Sequence, residues 1–452
     1  MSSAGTVSPC VEEAALTGAD DRSGTGYVGT RSRSSTAFPW RTNALRVAGV
    51  IAGTGLSLLR LPPHVAFDHI WAENGQTFLQ QEVDWGTLRS LFTGYQGYAH
   101  LVPRLTAAFV SALPMRAWPA ALTITACLVT AICALAVYEA TVPVIRSRVL
   151  RVGLALMVVL VPAAGVESVG SIINVQYVLA FAAMWVAFGQ AETRRGCLSA
   201  GSFCLMAAGT TPFTGMALLI VGSRWYLERP EGRTRRYQAS CAAGLLVGLM
   251  YQVVGRLSSG VSRPTAGAAL HGYLQALTAV LRGGLLGAGV ATDVSMAEVA
   301  EAAVIVVCLA LVAVRLVQRR SPSSLKVPPL AWFAVSTVAF TVVEYTFRYQ
   351  GAWGARYVIL PSLCVLSALA MAAQAVPRVG LALGLVVLVA ALGSFPATSF
   401  RDSGPSWAAV LQKAATTCDG QKADSTVTLP IGPSISTIDW HMSLRCGQLR
   451  RD

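Results

Sequence analysis

Charged residues are scarce in this sequence. They make up 13% of the 452 residues, and hydrophobic residues make up 54%, whereas soluble domains carry about 25% charge. The mean hydropathy is +0.55. Apolar runs recur along most of the chain, and the roughly ten-residue alternation of a membrane β-barrel is absent. The scarcity of charge excludes a soluble globular protein and predicts an all-α, polytopic transmembrane helix bundle of about 10–12 spans.

Metal-binding and nucleotide-binding motifs are also missing. The ten cysteines include no CxxC pair, and the sequence has no Walker motif and no HExxH. We therefore expect no cofactor and no metal site, although acids of the first loop are compatible with a divalent ion. The net charge of +13 comes from basic residues in short loops between apolar runs. The positive-inside rule explains this distribution without nucleic acid as a partner.

The apolar runs divide the chain into three regions. Residues 1–40 are rich in Ser, Gly and Thr and predict a disordered, cytoplasmic N-terminal tail. Residues 41–395 predict the transmembrane domain, and residues 396–452 a small extracytoplasmic cap. The predicted spans lie near 44–60, 118–138, 149–166, 171–189, 237–255, 302–317, 329–347, 357–376 and 379–395. Residues 101–115 are short for a span, and residues 197–223 are either one kinked span or two half-helices.

Clusters of arginine between the spans predict the topology. All of these clusters are cytoplasmic, as the positive-inside rule requires, if residues 101–115 do not cross fully and residues 197–223 form a hairpin. The alternative flips only the middle region, and both arrangements place segments 61–100, 256–300, 348–356 and 396–452 outside a plasma membrane. Cys418 and Cys446 lie in the last of these. Because disulfides persist in oxidising compartments, we expect these two cysteines to pair. The sequence predicts no particular oligomeric state.

The first outer loop carries the strongest candidates for chemistry. Asp68 and Glu73 follow the first span and bracket a short apolar stretch. A carboxylate at a water–lipid boundary is partly desolvated, which raises its pKa and suits a general base. The competing interpretation is a solvated loop whose acids do nothing, and the sequence does not separate the two.

Further candidates are substrate-binding residues. Arg104 opens an apolar segment, where a charge is costly unless it is paired or bound to an anion. Glu344 and Arg348 are spaced as neighbours on one helix face and form either a structural salt bridge or, with Arg356, a phosphate clamp. The remaining candidates are polar or aromatic and suit sugar binding, an interfacial aromatic belt or interhelical hydrogen bonds: Tyr95, Tyr98, His100, Glu167, Asn174 and Gln176.

This layout resembles the GT-C-type membrane glycosyltransferases over most of residues 44–400. A narrower resemblance is to uncharacterised bacterial polytopic proteins whose first outer loop reads Trp-Ala-Glu-Asp-Gly followed by Phe-Leu. The residues that match are Trp71, Ala72, Glu73, Gly75, Phe78 and Leu79, together with the stretches FTGYQGYAHLVPRL, NVQYVL and GARYVILP, the turn near Pro212 and the cysteine-bearing tail. One position departs, because Asn74 stands where that pattern has an acid.

The resemblance implies transfer of a sugar from a polyprenyl-phosphate donor at the outer face of the bilayer. Glu73 or Asp68 would orient or deprotonate the acceptor hydroxyl, and Arg104, Arg348 and Arg356 would neutralise the departing lipid phosphate. Two alternatives stay open. A transporter or flippase of an amphipathic substrate would place its charges near the midplane and show repeated halves, and a catalytically inactive scaffold would explain Asn74.

Overall fold

Apolar helices make up most of the chain in the computed structural model, which describes residues 39–260, 279–281, 328–348, 355–375, 377–396, 402–434 and 438–450. The predicted disordered tail up to residue 38, the predicted span 302–317 and most of the loops 256–300 and 348–356 lie outside the described residues. The chain divides into two units, Met1–Asn43 and Ala44–Asp452. The second unit includes the C-terminal segment.

The helices and strands follow in chain order. The first half contains α1 (Pro39–Leu58), α2 (Pro63–Asp68), a π-helical turn (Asn74–Leu79), α3 (Gln80–Trp85), α4 (Thr87–Leu91), α5 (Leu101–Ser111), α6 (Trp118–Ala140), α7 (Arg148–Leu160), α8 (Ala164–Glu167), α9 (Val175–Phe188) and α10 (Arg194–Thr210). The second half contains α11 (Gly215–Glu228), α12 (Gly232–Ser258), α13 (Pro329–Arg348), a 3₁₀ turn (Ala355–Val358), α14 (Ile359–Ala375), α15 (Pro377–Gly393), α16 (Trp407–Cys418), β1 (Thr426–Pro430), β2 (His441–Arg445) and α17 (Cys446–Leu449).

Three helices within the described residues are long and apolar enough to cross a membrane, namely Met115–Ala140, Gly232–Ser258 and Arg356–Gln374. Large apolar side chains also lie exposed on several helices, a pattern typical of contact with lipid or a partner. Examples are Leu45, Ile51, Leu59, Leu246, Met250, Leu257, Val335, Val338, Leu385 and Val389. The chain is therefore mostly helical and membrane-associated.

Two of the predicted spans are shorter than expected. In place of residues 149–166 and 171–189 the structure has α7, with 13 residues, and α9, with 14. At about 1.5 Å per residue each is roughly 20 Å long, less than the roughly 30 Å hydrocarbon core. α7 ends because Val161 precedes Pro162, which disfavours helical geometry at the residue before it. The chain then runs mostly buried through residues 161–174, with Gly170 in the left-handed region at φ +70°.

Helix α9 forms the centre of the bundle. All 14 of its residues are buried, as expected for a helix that is apolar on every side. The indole Nε1 of Trp185 donates a hydrogen bond to Ser367 Oγ of α14 at 3.0 Å. The ring of Trp185 also lies 4.7 Å from that of Phe333 on α13. Polar and aromatic contacts thus fix α9 against both later helices.

Residues 197–223 form two helices rather than one kinked span. Ser240 Oγ of α12 donates to the carbonyl of Cys197 at 2.7 Å, and Gln252 Nε2 donates to the carbonyl of Ala208 at 2.8 Å. The two pairs are 43 and 44 residues apart in sequence, so α10 and α12 run parallel. Because they run in the same direction, α11 must return between them, and the turn falls after Thr210.

Glycine allows α10 and α12 to approach closely. A Cβ added to Gly248 would lie 2.5 Å from Ala208 Cβ and 2.7 Å from the backbone nitrogen of Gly209. A Cβ on Gly244 would clash with the carbonyl oxygen of Gly201. Small residues at this spacing are a common means of packing helices in membranes. The pair Gly244 and Gly248 therefore fixes the distance between the two helices.

Arg60 ties three segments together at the end of α1. Its side chain is buried, and Nη1 donates to the carbonyl of Val159 at 2.7 Å while Nε donates to the carbonyl of Phe395 at 3.1 Å. These carbonyls lie at or beyond the C-terminal ends of α7 and α15, where basic groups bind favourably. Arg60 is therefore a structural residue that joins these two helix ends to α1.

The C-terminal segment is a small disulfide-linked unit. Strands β1 and β2 pair antiparallel from Thr426 opposite Arg445 to Pro430 opposite His441. The structure joins Cys418, at the end of α16, to Cys446, at the start of α17, as a disulfide. This is the pairing that the sequence predicts. The segment docks onto the chain that follows α1 through main-chain hydrogen bonds between Gly432 and residues 70–72.

We expect Gly248→Ala to lower the thermal stability of the protein in detergent, since the added methyl group has no room between α10 and α12. Overpacking of this kind costs about 1–3 kcal/mol. The control is Gly222→Ala on α11, where nothing lies within 4 Å of the new Cβ and the helix gains up to about 1 kcal/mol in propensity. Equal shifts of melting temperature in the two variants would contradict this account of the packing.

Candidate functional site

The segment that follows α1 is folded and largely buried rather than a solvated loop. The backbone of Ala72 donates to the carbonyl of Gly432 at 2.6 Å, and Gly432 donates to the carbonyl of Ile70 at 3.0 Å. This bridge belongs to the C-terminal segment, so the last part of the chain holds the first loop. Ala72 itself has φ +32°, which costs a residue with a side chain roughly 1–3 kcal/mol. The strained residue directly precedes Glu73.

Glu73 is one of three charged side chains that meet. Its Oε1 lies 3.4 Å from Nη1 of Arg356, and the same nitrogen lies 3.8 Å from Oε2 of Glu167. The backbone nitrogen of Arg356 donates to Glu167 Oε1 at 3.2 Å, and Nη2 donates to the hydroxyl of Tyr357 at 3.2 Å. We call Glu73, Glu167 and Arg356 the charge cluster. The two carboxylates are buried, while 25% of the Arg356 side chain is exposed.

One oxygen of the charge cluster is unused. Glu73 Oε2 is buried and accepts no hydrogen bond within the described residues. A buried carboxylate oxygen without a partner carries a desolvation cost of about 1–3 kcal/mol or more. Burial and the negative charge of Glu73 raise the pKa of the Tyr95 phenol, so Tyr95 stays neutral beside the cluster. The free oxygen is therefore a ready acceptor for a hydroxyl group.

Aromatic side chains form a wall next to the charge cluster. The ring of His100 lies 4.3 Å from that of Tyr98 and 5.2 Å from that of Phe78. The hydroxyl of Tyr98 donates to Gln176 Oε1 at 2.8 Å, and His100 Nε2 lies 3.2 Å from the carbonyl of Tyr95. The structure thus brings four of the predicted binding residues together: Tyr95, Tyr98, His100 and Gln176.

Arg104 lies behind this wall. It is fully buried, with its guanidinium carbon 5.0 Å from the centre of the Phe78 ring and Nη2 donating to the carbonyl of Thr93 at 3.0 Å. Nε and Nη1 find no hydrogen-bond acceptor within the described residues. No salt bridge joins Arg104 to the charge cluster in the described part of the chain. Its contacts are with the aromatic wall, through the ring of Phe78, and not with the two carboxylates.

Asp68 has a different environment from Glu73. Its Oδ1 accepts from the backbone nitrogen of Ala408 at 2.8 Å, and its Oδ2 accepts from the hydroxyl of Ser406. Ser406 is the N-cap of α16 and Ala408 lies in its first turn, where a carboxylate satisfies free N–H groups and interacts favourably with the helix dipole. The two oxygens of Asp68 are therefore occupied in holding the C-terminal segment.

Three other predicted binding residues lie outside the charge cluster or outside the described side chains. Asn174 Nδ2 makes only a long contact, 3.5 Å, with the carbonyl of Glu167, and Asn174 is buried. The helix α13 includes Glu344 and Arg348, but their side chains lie outside the described part of the structure. Of the residues of the predicted phosphate clamp, Arg356 is the one whose side chain the structure describes.

Sequence reasoning missed the residues that hold Glu73 in place. A Cβ on Gly75 would lie 2.6 Å from Ile70 Cγ2 and 2.7 Å from Ile431 Cδ1, so only glycine lets the C-terminal segment sit this close. Asn74 is buried, and its Oδ1 accepts a hydrogen bond from the backbone nitrogen of Ile173 at 3.4 Å. The glycine after the acid in the Trp-Ala-Glu-x-Gly stretch was the available signal for this close contact.

Among the described residues, no group of three or more His, Cys, Asp and Glu side chains is arranged to hold a metal ion. No protein-family model, no curated protein and no solved structure matches the chain. The fold and the site together define a mostly helical, membrane-associated protein with a buried arginine–carboxylate cluster.

Arg356→Met should destabilise the protein strongly, because it leaves Glu73 and Glu167 buried without their cation. Breaking a buried pair from one side costs about 3–5 kcal/mol. The control is Arg46→Met, which removes the arginine of an exposed ion pair with Glu139. Exposed ion pairs contribute about 0–1 kcal/mol to stability. Thermal unfolding in detergent measures both changes, and a similar small shift in each variant would show that the cluster is not a stabilising ion pair.

Proposed function

We propose that this chain is an integral membrane glycosyltransferase-like protein of the GT-C type, with a polytopic bundle of about 10–12 spans. It transfers a sugar from a polyprenyl-phosphate donor to an acceptor at the outer face of the membrane. The N-terminus is cytoplasmic and the C-terminal segment extracytoplasmic. The observation that carries the proposal is the charge cluster, in which Glu73 and Arg356, 283 residues apart in sequence, lie 3.4 Å from each other.

The charge cluster supplies the two groups that this reaction needs. An acceptor hydroxyl binds to the free Oε2 of Glu73, which orients it and takes its proton as the new bond forms. The acceptor oxygen bonds to the anomeric carbon of the donor sugar while the bond from that carbon to the phosphate oxygen breaks. The polyprenyl phosphate departs with the electron pair, and the guanidinium of Arg356 neutralises its growing charge.

The surroundings of the cluster support the same assignment. Arg356 is the most exposed member of the cluster, so a phosphate has access to it from outside. Tyr95 and Tyr98 are partly exposed and offer aromatic faces to a sugar ring, while the buried His100 packs behind them. Asp68 is not needed as the base, because its oxygens hold the first turn of α16. We therefore assign the base to Glu73.

Glu73→Gln should lower sugar transfer by about 10²–10⁴-fold, the usual loss when a general base is removed. The assay uses purified protein and a panel of polyprenyl-phosphate hexoses and pentoses, and it measures released polyprenyl phosphate. Glu139→Gln, an exposed change on α6, is the control and should retain full activity. Full activity in Glu73→Gln would remove the basis of this proposal.

Asn74 favours a second candidate, a catalytically inactive scaffold with the same fold. The side chain occupies the position of the acid in the resembling proteins, and here it holds the backbone at Ile173. A carboxylate of the same shape accepts the same hydrogen bond. The two candidates differ in what an acid at this position does to the turnover of the protein.

Asn74→Asp should raise the turnover of donor if the chain is an enzyme weakened at this position. The control is Gln76→Glu, a neighbouring amide-to-acid change at a side chain that accepts from the backbone of His441. A gain in Asn74→Asp alone supports the enzyme, because the Asn74 side chain contacts Ser171 and Ile173 next to Glu73. No turnover in the natural protein and in both variants supports the scaffold.

A further inference from the structure

A small cavity lies between the helices, close to the charge cluster but distinct from it. We call residues 161–174, between α7 and α9, the irregular segment. The walls of the cavity include Ser57 of α1, Cys127 of α6, Ser168 and Asn174 of the irregular segment, and Ile359 of α14. Ser168 directly follows Glu167, and Ile359 lies one turn after Arg356. The cavity therefore borders the segments that carry two members of the charge cluster.

Three polar atoms in these walls have no partner. Ser57 Oγ, Ser168 Oγ and Asn174 Oδ1 are buried and find no hydrogen-bond partner among the described residues. Ser57 and Asn174 are each only 4% exposed. Buried polar groups are nearly always satisfied, by protein or by ordered water. Three unsatisfied groups around one space point to a ligand within it.

Size and charge identify the class of ligand. The free space holds about two water molecules and is too small for a sugar or a lipid headgroup. All of the lining residues are neutral, and Arg60 donates to the carbonyl of Val159, which is also part of the wall. A cation would lack a countercharge and would lie near this guanidinium. An anion would find no charged donor, because the Arg60 guanidinium already donates to four carbonyl oxygens. A neutral, dipolar ligand therefore remains.

We infer that the cavity binds about two structural water molecules, which hydrogen-bond to Ser57, Ser168 and Asn174. A water bound in this way joins α1 to the irregular segment between α7 and α9. That segment is held internally by short-range backbone hydrogen bonds, such as the one from Ser168 to Ala164 at 3.0 Å, and it carries Glu167 towards Arg356. The inference is independent of the proposed sugar transfer.

Radiolytic hydroxyl-radical labelling tests the inference in the intact protein, because radicals form from water that is bound next to a buried side chain. Cys127 lines the cavity, and Cys133 is a matched control on the same helix, with exposed fractions of 1% and 0%. We expect oxidation of Cys127 to be several-fold faster than oxidation of Cys133. Ser57→Leu, which fills the cavity, should lower the Cys127 rate to that of Cys133. Equal rates in the natural protein would overturn the inference.

The stability of Ser57→Ala gives an independent result with a definite sign. If water binds, the variant removes one of its partners and the melting temperature falls. If the cavity is dry, the variant removes an unsatisfied hydroxyl and the melting temperature rises. Ser223→Ala on α11, whose hydroxyl bonds to the carbonyl of Ile220, measures the effect of the substitution in a helix by itself. A rise in Ser57→Ala above that of Ser223→Ala would overturn the inference.

Discussion

The permanent charge of Arg356, at the start of an otherwise apolar helix, constrains much of this structure. Arginine stays protonated in proteins, and burying it is costly unless carboxylates surround it. Glu73 and Glu167 supply the negative countercharge from two segments far apart in sequence. The first loop and the irregular segment before α9 must therefore both reach the start of α14, and the site forms where they meet.

The C-terminal segment completes this arrangement from the other side. Asp68 binds the first turn of α16, and the backbone of Gly432 pairs with residues 70–72. The disulfide between Cys418 and Cys446 closes the small unit that makes these contacts. The loop carrying Glu73 is thus held by main-chain hydrogen bonds at its start and by an ion pair at its end. Such support on both sides preorganises a side chain for binding.

Composition and the patterning of charge predicted the helical, membrane-associated class, because scarcity of charge is a property of the whole chain. The contacts of individual site residues were predicted less well than the class of protein. Glu73 and Arg356 were found separately by their unusual positions. The contacts of Arg356 with Glu167 and Glu73 span 189 and 283 residues, and periodicity carries no information at such distances. The capping role of Asp68 was missed for the same reason, since its partner lies 340 residues away. The length of α7 depended on Pro162, a local signal that the hydropathy of the run concealed.

The different environments of Asp68 and Glu73 support placing the proposed site at Glu73. Every oxygen of Asp68 has a donor, as stability alone requires. Glu73 keeps one buried oxygen without a partner and follows Ala72 in a strained conformation, at a combined cost of about 2–6 kcal/mol. Stability alone would favour replacing both features, because Ala72→Gly relieves the strain and a donor near Oε2 satisfies the carboxylate. Their presence together, beside a partly exposed arginine, supports the proposed site, in which a ligand supplies the missing hydrogen bond.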